Sequence, residues 1–202
     1  MSSVNDSEQK ILDAAKKIFE ASGYNGARMQ QIADEAGISK ASLHYYFRSK
    51  ENLFERIFSE TMEEFMKVLS TWEDDTEDWE LKLRTFLVEF FKFLRTNSLL
   101  FILREINRNP DLLANRPKKK KLGFMNYFER LREKGILQHV DLQLIYVFMH
   151  SLCSYPLINQ IIFKRTLKMD QADFDAFLEL YPQHVADFLI LSIKHSNKKP
   201  RI

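Results

Sequence analysis

The chain has little that would staple or punctuate it. Its 202 residues include one cysteine, Cys153, so no intramolecular disulfide can form and the thiol fits a reducing compartment. Glycine and proline number five each, too few for a many-turned β fold, which leaves room for long helices. The least charged stretch, 144–162, carries His150, Ser151, Ser154, Pro156 and Asn159 and suits a buried helix better than a membrane span. Residues 1–10 are polar and lack the apolar core of a secretory leader. Bulk charge is nearly absent: 30 Lys and Arg against 28 Asp and Glu leave a net of +2, so attraction to a polyanion has to come from local placement. Signatures of catalysis are missing too. There is no HExxH, P-loop, GxGxxG or GxSxG pattern, and the five histidines stand scattered without metal-ligand spacing. The expectation is a cytoplasmic protein that is not an enzyme and has no cofactor, metal site or membrane segment.

Apolar residues at helical spacing dominate what is present. Ile11, Ala15, Ile18 and Phe19 predict a helix over 7–22, closed by Gly23. Short helices follow over 28–35 and 40–46, then a longer one over 50–69. An acidic connector, 73–80, leads into a helix over 79–95, with a shorter one over 98–107. The basic run Arg116–Lys121 reads as a solvated loop and the start of a helix closed by Gly135. Asp141 is placed to cap a helix reaching Phe163, with a kink at Pro156; a last helix over 170–196 should bend or break at Pro182. No segment sustains alternation, so the fold class is all-α.

The most informative segment is 28–47, RMQQIADEAGISKASLHYYF. Its spacing predicts two short helices crossing closely, with small Ala33 at the contact, Gly37 supplying a positive φ in the turn, and Ile38, Leu43 and Phe47 plugging the core. With Leu43 and Phe47 inward, Ala41 and Tyr45 rotate to the exposed face and Ser42 and His44 flank them. A short exposed helix with small, hydroxyl and aromatic groups, opened by a lysine, suits the major groove of DNA.

This segment resembles the TetR family of regulators. The resemblance runs from Ile11, Leu12, Asp13, Ala14, Ala15 and Phe19, through Gly23, Tyr24, Ile32 and Ala33, to Ala36, Gly37, Ile38 and Ser39. It continues through Leu43, Tyr46, Phe47, Ser49, Lys50, Glu51, Leu53 and Phe54. It implies a helix-turn-helix DNA-binding domain over 1–55 and a helical effector-binding and dimerisation domain over 56–202. Two positions depart from the family: Arg28 stands where many members carry threonine or serine, and His44 where tyrosine is usual in the recognition helix. Either change alters how DNA is read without disturbing the fold.

The implied partners are double-stranded operator DNA, a second copy of the chain and a small-molecule effector. Arg28, Lys40, Tyr46 and Lys50 are expected on phosphates; Gln30, Ser42, His44 and Tyr45 are expected on base edges or thymine methyls. Ser39, at the head of the recognition helix, joins this DNA-facing set. For the effector, the candidate lining is Phe90, Phe101, Tyr127, Phe128, Phe148 and Met149, with His150 and Cys153 as polar markers; ordinary core packing is the competing reading. The dimer is expected on Ile145, Phe148, Met149, Leu152, Tyr155 and Ile158 of one helix and Val185, Phe188, Leu189 and Ile193 of another. The functional expectation is a repressor released from a palindromic operator by an apolar or aromatic effector. Control by a protein partner without an inducer is the alternative.

Overall fold

A computed structural model of the chain describes residues 2–72, 78–96, 98–110 and 123–198, and among these there is no strand. The described helices are α1 (Ser2–Gly26), α2 (Met29–Glu35), α3 (Lys40–Tyr46), α4 (Lys50–Ser70) and α5 (Trp79–Thr96). They continue with α6 (Leu99–Arg108), α7 (Gly123–Glu133), α8 (Leu142–Ile158), α9 (Gln160–Leu167) and α10 (Gln171–Lys198). Residues 73–77 of the acidic connector, the basic run Arg116–Lys121 and the tail beyond 198 lie outside the described residues.

The chain divides into two compact units. The first holds α1, α2, α3, α4 as far as Glu64, and α6; the second holds the rest of α4, α5 and α7 to α10. A division at 55/56 would instead assign α6 to the second part. Ring packing shows why it joins the first. Phe101 of α6 stacks on Phe19 at 5.9 Å between centroids and meets Phe54 edge-on at 6.1 Å, inside a core that includes Ile11, Ile32 and Leu43. Burying a phenylalanine this fully contributes about 1.5–3 kcal/mol, and a stacked partner adds more.

A second contact fixes α6 there. Gly23 breaks α1 with φ 71 and ψ 167, after which one more turn runs to Gly26. The break frees the Tyr24 N–H, which donates to the Glu105 carboxylate of α6 at 3.1 Å. Glu105 is only 4% exposed. A buried carboxylate is costly unless hydrogen-bonded, and here it also accepts from the Arg108 guanidinium at 3.2 Å.

In the second unit, α5 is the central helix, with Leu83, Phe86, Leu87, Phe90 and Phe91 buried. Three ion pairs tie it to α10: Glu80 with Lys194, Arg84 with Asp187, and Arg95 with Glu179. Rising numbers on α5 meet falling numbers on α10, so the two run antiparallel. Exposed pairs of this kind set register more than they stabilise. Trp72 sits fully buried beside α5 and α7, 4.9 Å from Phe86 and 5.2 Å from Phe124 between ring centroids.

Caps follow local chemistry. The Asp141 carboxylate accepts from the Gln143 and Leu144 amides at 3.0 and 3.2 Å and starts α8. Gly135, at φ 74, ends α7 with the Ile136 N–H on the Leu131 carbonyl and the Gly135 N–H on that of Arg132. The expected helix to Phe163 is two: α8 stops at Asn159 (φ −110, ψ 29) and α9 begins at Gln160. No break falls at Pro182, since α10 runs as one helix from Gln171 to Lys198.

Pro156 lies inside α8. With no N–H, it leaves the carbonyl of Leu152, four residues earlier, without its helical donor. The Tyr181 hydroxyl of α10 donates to that same carbonyl at 3.1 Å. A defect in one helix is thus filled by a side chain from another.

Candidate nucleic-acid interface

The helices α2 and α3 meet through a turn that glycine makes possible. Gly37 adopts φ 67, and the end of α2 closes with Ile38 N–H on the Ala33 carbonyl at 3.0 Å and Gly37 N–H on that of Asp34 at 3.1 Å. Ile32, Ala33 and Leu43 are fully buried, so the turn is anchored from both sides. The Ser39 hydroxyl then accepts from the Ser42 amide at 3.0 Å and caps α3. Seven residues make α3 about 10 Å long, a length that lies within a major groove about 12 Å wide.

Inward Leu43 and Phe47 leave the other face of α3 in solvent. Lys40, Ser42, His44 and Tyr45 are all exposed, and Tyr45 stands out at 85%. Its ring meets Tyr46 edge-on at 5.6 Å, which fixes its direction without covering it. Tyr46 is half-buried. Ser39 is exposed, but its oxygen is engaged by Ser42, whose hydroxyl also lies 2.8 Å away.

The two positions unusual for the recognition segment have defined settings. Arg28 precedes α2 in extended conformation, and its N–H donates to the Gln31 side-chain oxygen at 3.0 Å. That is half of a capping box; arginine has no acceptor for the other half. His44 Nδ1 lies 3.2 Å from the Arg48 carbonyl, as expected of a histidine in a helix's last turn. In the neutral ring Nδ1 therefore carries the proton, and Nε2 is left as an acceptor. The exposed Gln30 amide donates to Asp34 at 2.8 Å.

Lys50 differs most from a simple phosphate contact. Its Nζ donates to the Ala27 carbonyl at 3.1 Å and lies 4.7 Å from the Tyr24 ring centroid. The Tyr24 hydroxyl donates to Glu51 at 2.9 Å. Burial, then that bond, pushes the Tyr24 phenol up; the Glu51 backbone N–H, the Ser49 hydroxyl and Tyr24 hold the Glu51 carboxyl down. Lys50 thus ties the head of α4 to the segment before α2. The sequence carried no signal for this bond or for the Glu105 clamp, because both join distant residues. The His44–Arg48 contact had one, the spacing of four.

The candidate effector residues are divided between the two units. Phe101 belongs to the core of the first unit, and Phe148, at 42% exposure, faces solvent. Phe90, Phe128, Met149 and Cys153 are buried in the second unit. His150 packs edge-on to Phe90 at 5.1 Å. Tyr127 borders a cavity of about 310 Å³, whose apolar wall it forms with Trp79, Leu131 and Ile136. Asp78, Arg130 and Lys134 supply its polar edge.

The expected dimer faces are also sorted. Ile145, Met149, Val185, Leu189 and Ile193 are buried within the unit. Phe148, Tyr155 and Ile158 of α8 and Phe188 of α10 are exposed, joined by Leu144 and Leu191. Leu152 is half-buried.

Residues 11–57 match the family model described as bacterial regulatory proteins, tetR family. The fatty acid metabolism regulator protein of Bacillus subtilis is 24% identical over 129 residues, 63% of this chain and 66% of that protein. RutR of Escherichia coli K12, an HTH-type transcriptional regulator, is 36% identical over 72 residues, 36% of this chain and 34% of its own length. The match thus spans less than two thirds of either relative. Among solved structures, a TetR-family transcriptional regulator of Haemophilus influenzae Rd superposes with a TM-score of 0.61 at 17% identity, covering 93% of this chain and 97% of that one. The Bacillus subtilis regulator FadR, in complex with stearoyl-CoA, gives a TM-score of 0.56 at 17% identity, covering 90% and 97%.

Proposed function

We propose that this chain, a member of the TetR family of bacterial regulatory proteins, is a homodimeric repressor that leaves a palindromic operator when a small apolar effector binds. The observation that carries the DNA-binding part is the outer face of α3, where Tyr45 projects from a helix anchored through Leu43 and capped by Ser39. Lys40 and Arg28 are the phosphate candidates, joined by Tyr46 and by Lys50 once its hold on Ala27 is counted. Ser42, His44, Tyr45 and Gln30 are the base-reading candidates, with Ser39 positioning Ser42.

Two recognition helices on a two-fold dimer would read half-sites one helical turn apart, roughly 34 Å. The exposed apolar residues of α8 and α10 are the surface offered to the second copy. The effector reading draws on the cavity beside Tyr127 and on relatives named for fatty acid metabolism or solved with stearoyl-CoA. It favours an acyl compound over a protein partner. Effector and operator binding are then reciprocally coupled.

The test is selection of a preferred duplex from random DNA, followed by gel-shift titration. Wild-type protein should select a two-fold symmetric site. Tyr45→Ala should weaken binding at least tenfold, and Lys40→Ala should lower the salt slope by roughly one. Unchanged affinity in Tyr45→Ala overturns the interface, and a monomer by light scattering at micromolar concentration overturns the dimer.

A further inference from the structure

Four cations lie in the segment 28–50: Arg28, Lys40, Arg48 and Lys50. Their settings differ. The Lys50 ammonium is engaged by the Ala27 carbonyl and stands over the Tyr24 ring. Arg48, in the three-residue link between α3 and α4, is exposed, and its guanidinium has no hydrogen bond or ion pair among the described residues. The nearest acid in sequence, Glu51, is already taken. It accepts from the Tyr24 hydroxyl at 2.9 Å, and Ser49 and its own amide hold the carboxylate as well.

That guanidinium is free, but the backbone that carries it is held. Phe47 and Leu53, on either side, are buried. The Phe47 N–H donates to the Leu43 carbonyl at 2.8 Å, and the Ser49 carbonyl and hydroxyl accept from the Leu53 and Asn52 amides at 3.3 and 3.2 Å. Between these anchors the Arg48 carbonyl meets Nδ1 of His44 at 3.2 Å. A long cationic side chain thus stands on a fixed point of backbone, which reduces the entropy lost when it is placed on a ligand. The location matters as well. Lys40 opens α3, and Arg48 stands two residues beyond its last, Tyr46, so the two cations flank a helix about 10 Å long. In a groove about 12 Å wide, the ends of so short a helix lie near the sugar–phosphate walls.

We infer that Arg48 is a phosphate-binding residue, holding the DNA backbone beyond the end of the recognition helix as Lys40 holds it at the start. Its guanidinium offers two parallel N–H groups to one phosphate, a pairing that an ammonium does not reproduce. Lys50, two residues on, has its ammonium on a carbonyl of the protein; Arg48 carries no such commitment. The contact is with the backbone and not with a base, so its contribution is the same for every sequence. The inference rests on the DNA-binding reading above and adds a contact which that reading leaves out.

The test uses the full-length protein, the duplex that wild type selects and an unrelated duplex of equal length, titrated by fluorescence anisotropy between about 50 and 200 mM salt. Arg48→Met should weaken binding to both duplexes by the same several-fold factor and lower the salt slope by roughly one per protomer. Arg48→Lys keeps the charge, so it should keep the slope while losing part of the affinity. Lys17→Met removes an equal charge whose ammonium pairs with Glu35, and its slope should stay at the wild-type value. A urea midpoint equal to that of wild type establishes that Arg48→Met, a change at an exposed position, is folded. An unchanged slope in Arg48→Met, or an equal fall in Arg48→Met and Lys17→Met, overturns the inference. The two readings fail differently. A wild-type protein that selects no duplex removes DNA binding itself, and with it this contact. One that selects a duplex while Arg48→Met keeps the wild-type slope removes Arg48 alone.

Discussion

Changing Tyr181 to Phe removes one oxygen and tests whether α10 repairs the defect Pro156 makes in α8. The ring should stay in place, packed 5.1 Å from Phe177 and 5.7 Å from Phe91 between centroids. The Leu152 carbonyl then loses the hydroxyl that donates to it, in a part-buried setting. A net hydrogen bond is worth about 0.5–1.5 kcal/mol, and an orphaned buried acceptor about 1–3 kcal/mol. Partial exposure places the expected cost near 1 kcal/mol. For a chain of this length that lowers Tm by about 2–4 °C. The informative comparison is with Pro156→Ala, which restores an N–H four residues after Leu152 and gives its carbonyl a helical donor. In that background Tyr181→Phe should cost no more than about 0.5 kcal/mol, since the carbonyl is already satisfied. Urea denaturation of the four proteins, at one protomer concentration, closes the cycle. An equal cost of Tyr181→Phe in both backgrounds would refute the reasoning. The donor is secure across ordinary pH, because burial, with a smaller contribution from Cys153, raises the Tyr181 phenol above its usual value.

Two titrating groups give further expectations. Burial pushes the Cys153 thiol up to about 12, so almost no thiolate forms at pH 8; labelling by a disulfide reagent should be slow in native protein and fast in denaturant, and fast native labelling would contradict the buried position. Burial also lowers His150 below the ordinary value of about 6.5, so the unfolded chain binds this proton more readily than the folded one. Stability should therefore be complete above that value and fall as pH drops through it toward the folded value. His150→Gln should flatten this part of the profile, and an identical profile in the variant would exclude the contribution.

The helix-turn-helix was legible because its constraints are local. Gly37, Ser39 and Asp141 are read from backbone chemistry within a few residues, and each acts as expected. Leu43 inward and Tyr45 outward follow from 100° per residue. Assignments that depended on a helix's neighbours fared differently. Periodicity marks Phe101 as buried without saying against what, and it packs on Phe19 and Phe54. The helix α8 has apolar residues on all sides, so Ile145 and Phe148 look alike in sequence although one is buried and the other exposed. The bond of Lys50 to the Ala27 carbonyl was not legible, because it spans 23 positions. Proline in α10 predicted a break, yet the helix continues.

The membership of α6 in the first unit has a consequence for biosynthesis. A ribosome delivers α1 to α4 well before residues 99–108, and proteins tend to fold as their units emerge. This unit is not complete at that moment. Phe19 and Phe54 lack the ring of Phe101, and the Tyr24 N–H lacks Glu105. The nascent helix-turn-helix segment must therefore wait, with an open apolar face, while about thirty residues of another unit are made. A fragment ending at residue 64 inherits the same opening for good. Excision of the N-terminal region as an autonomous module should give a poorly folded chain unless α6 is supplied, joined through a linker or added as a separate peptide.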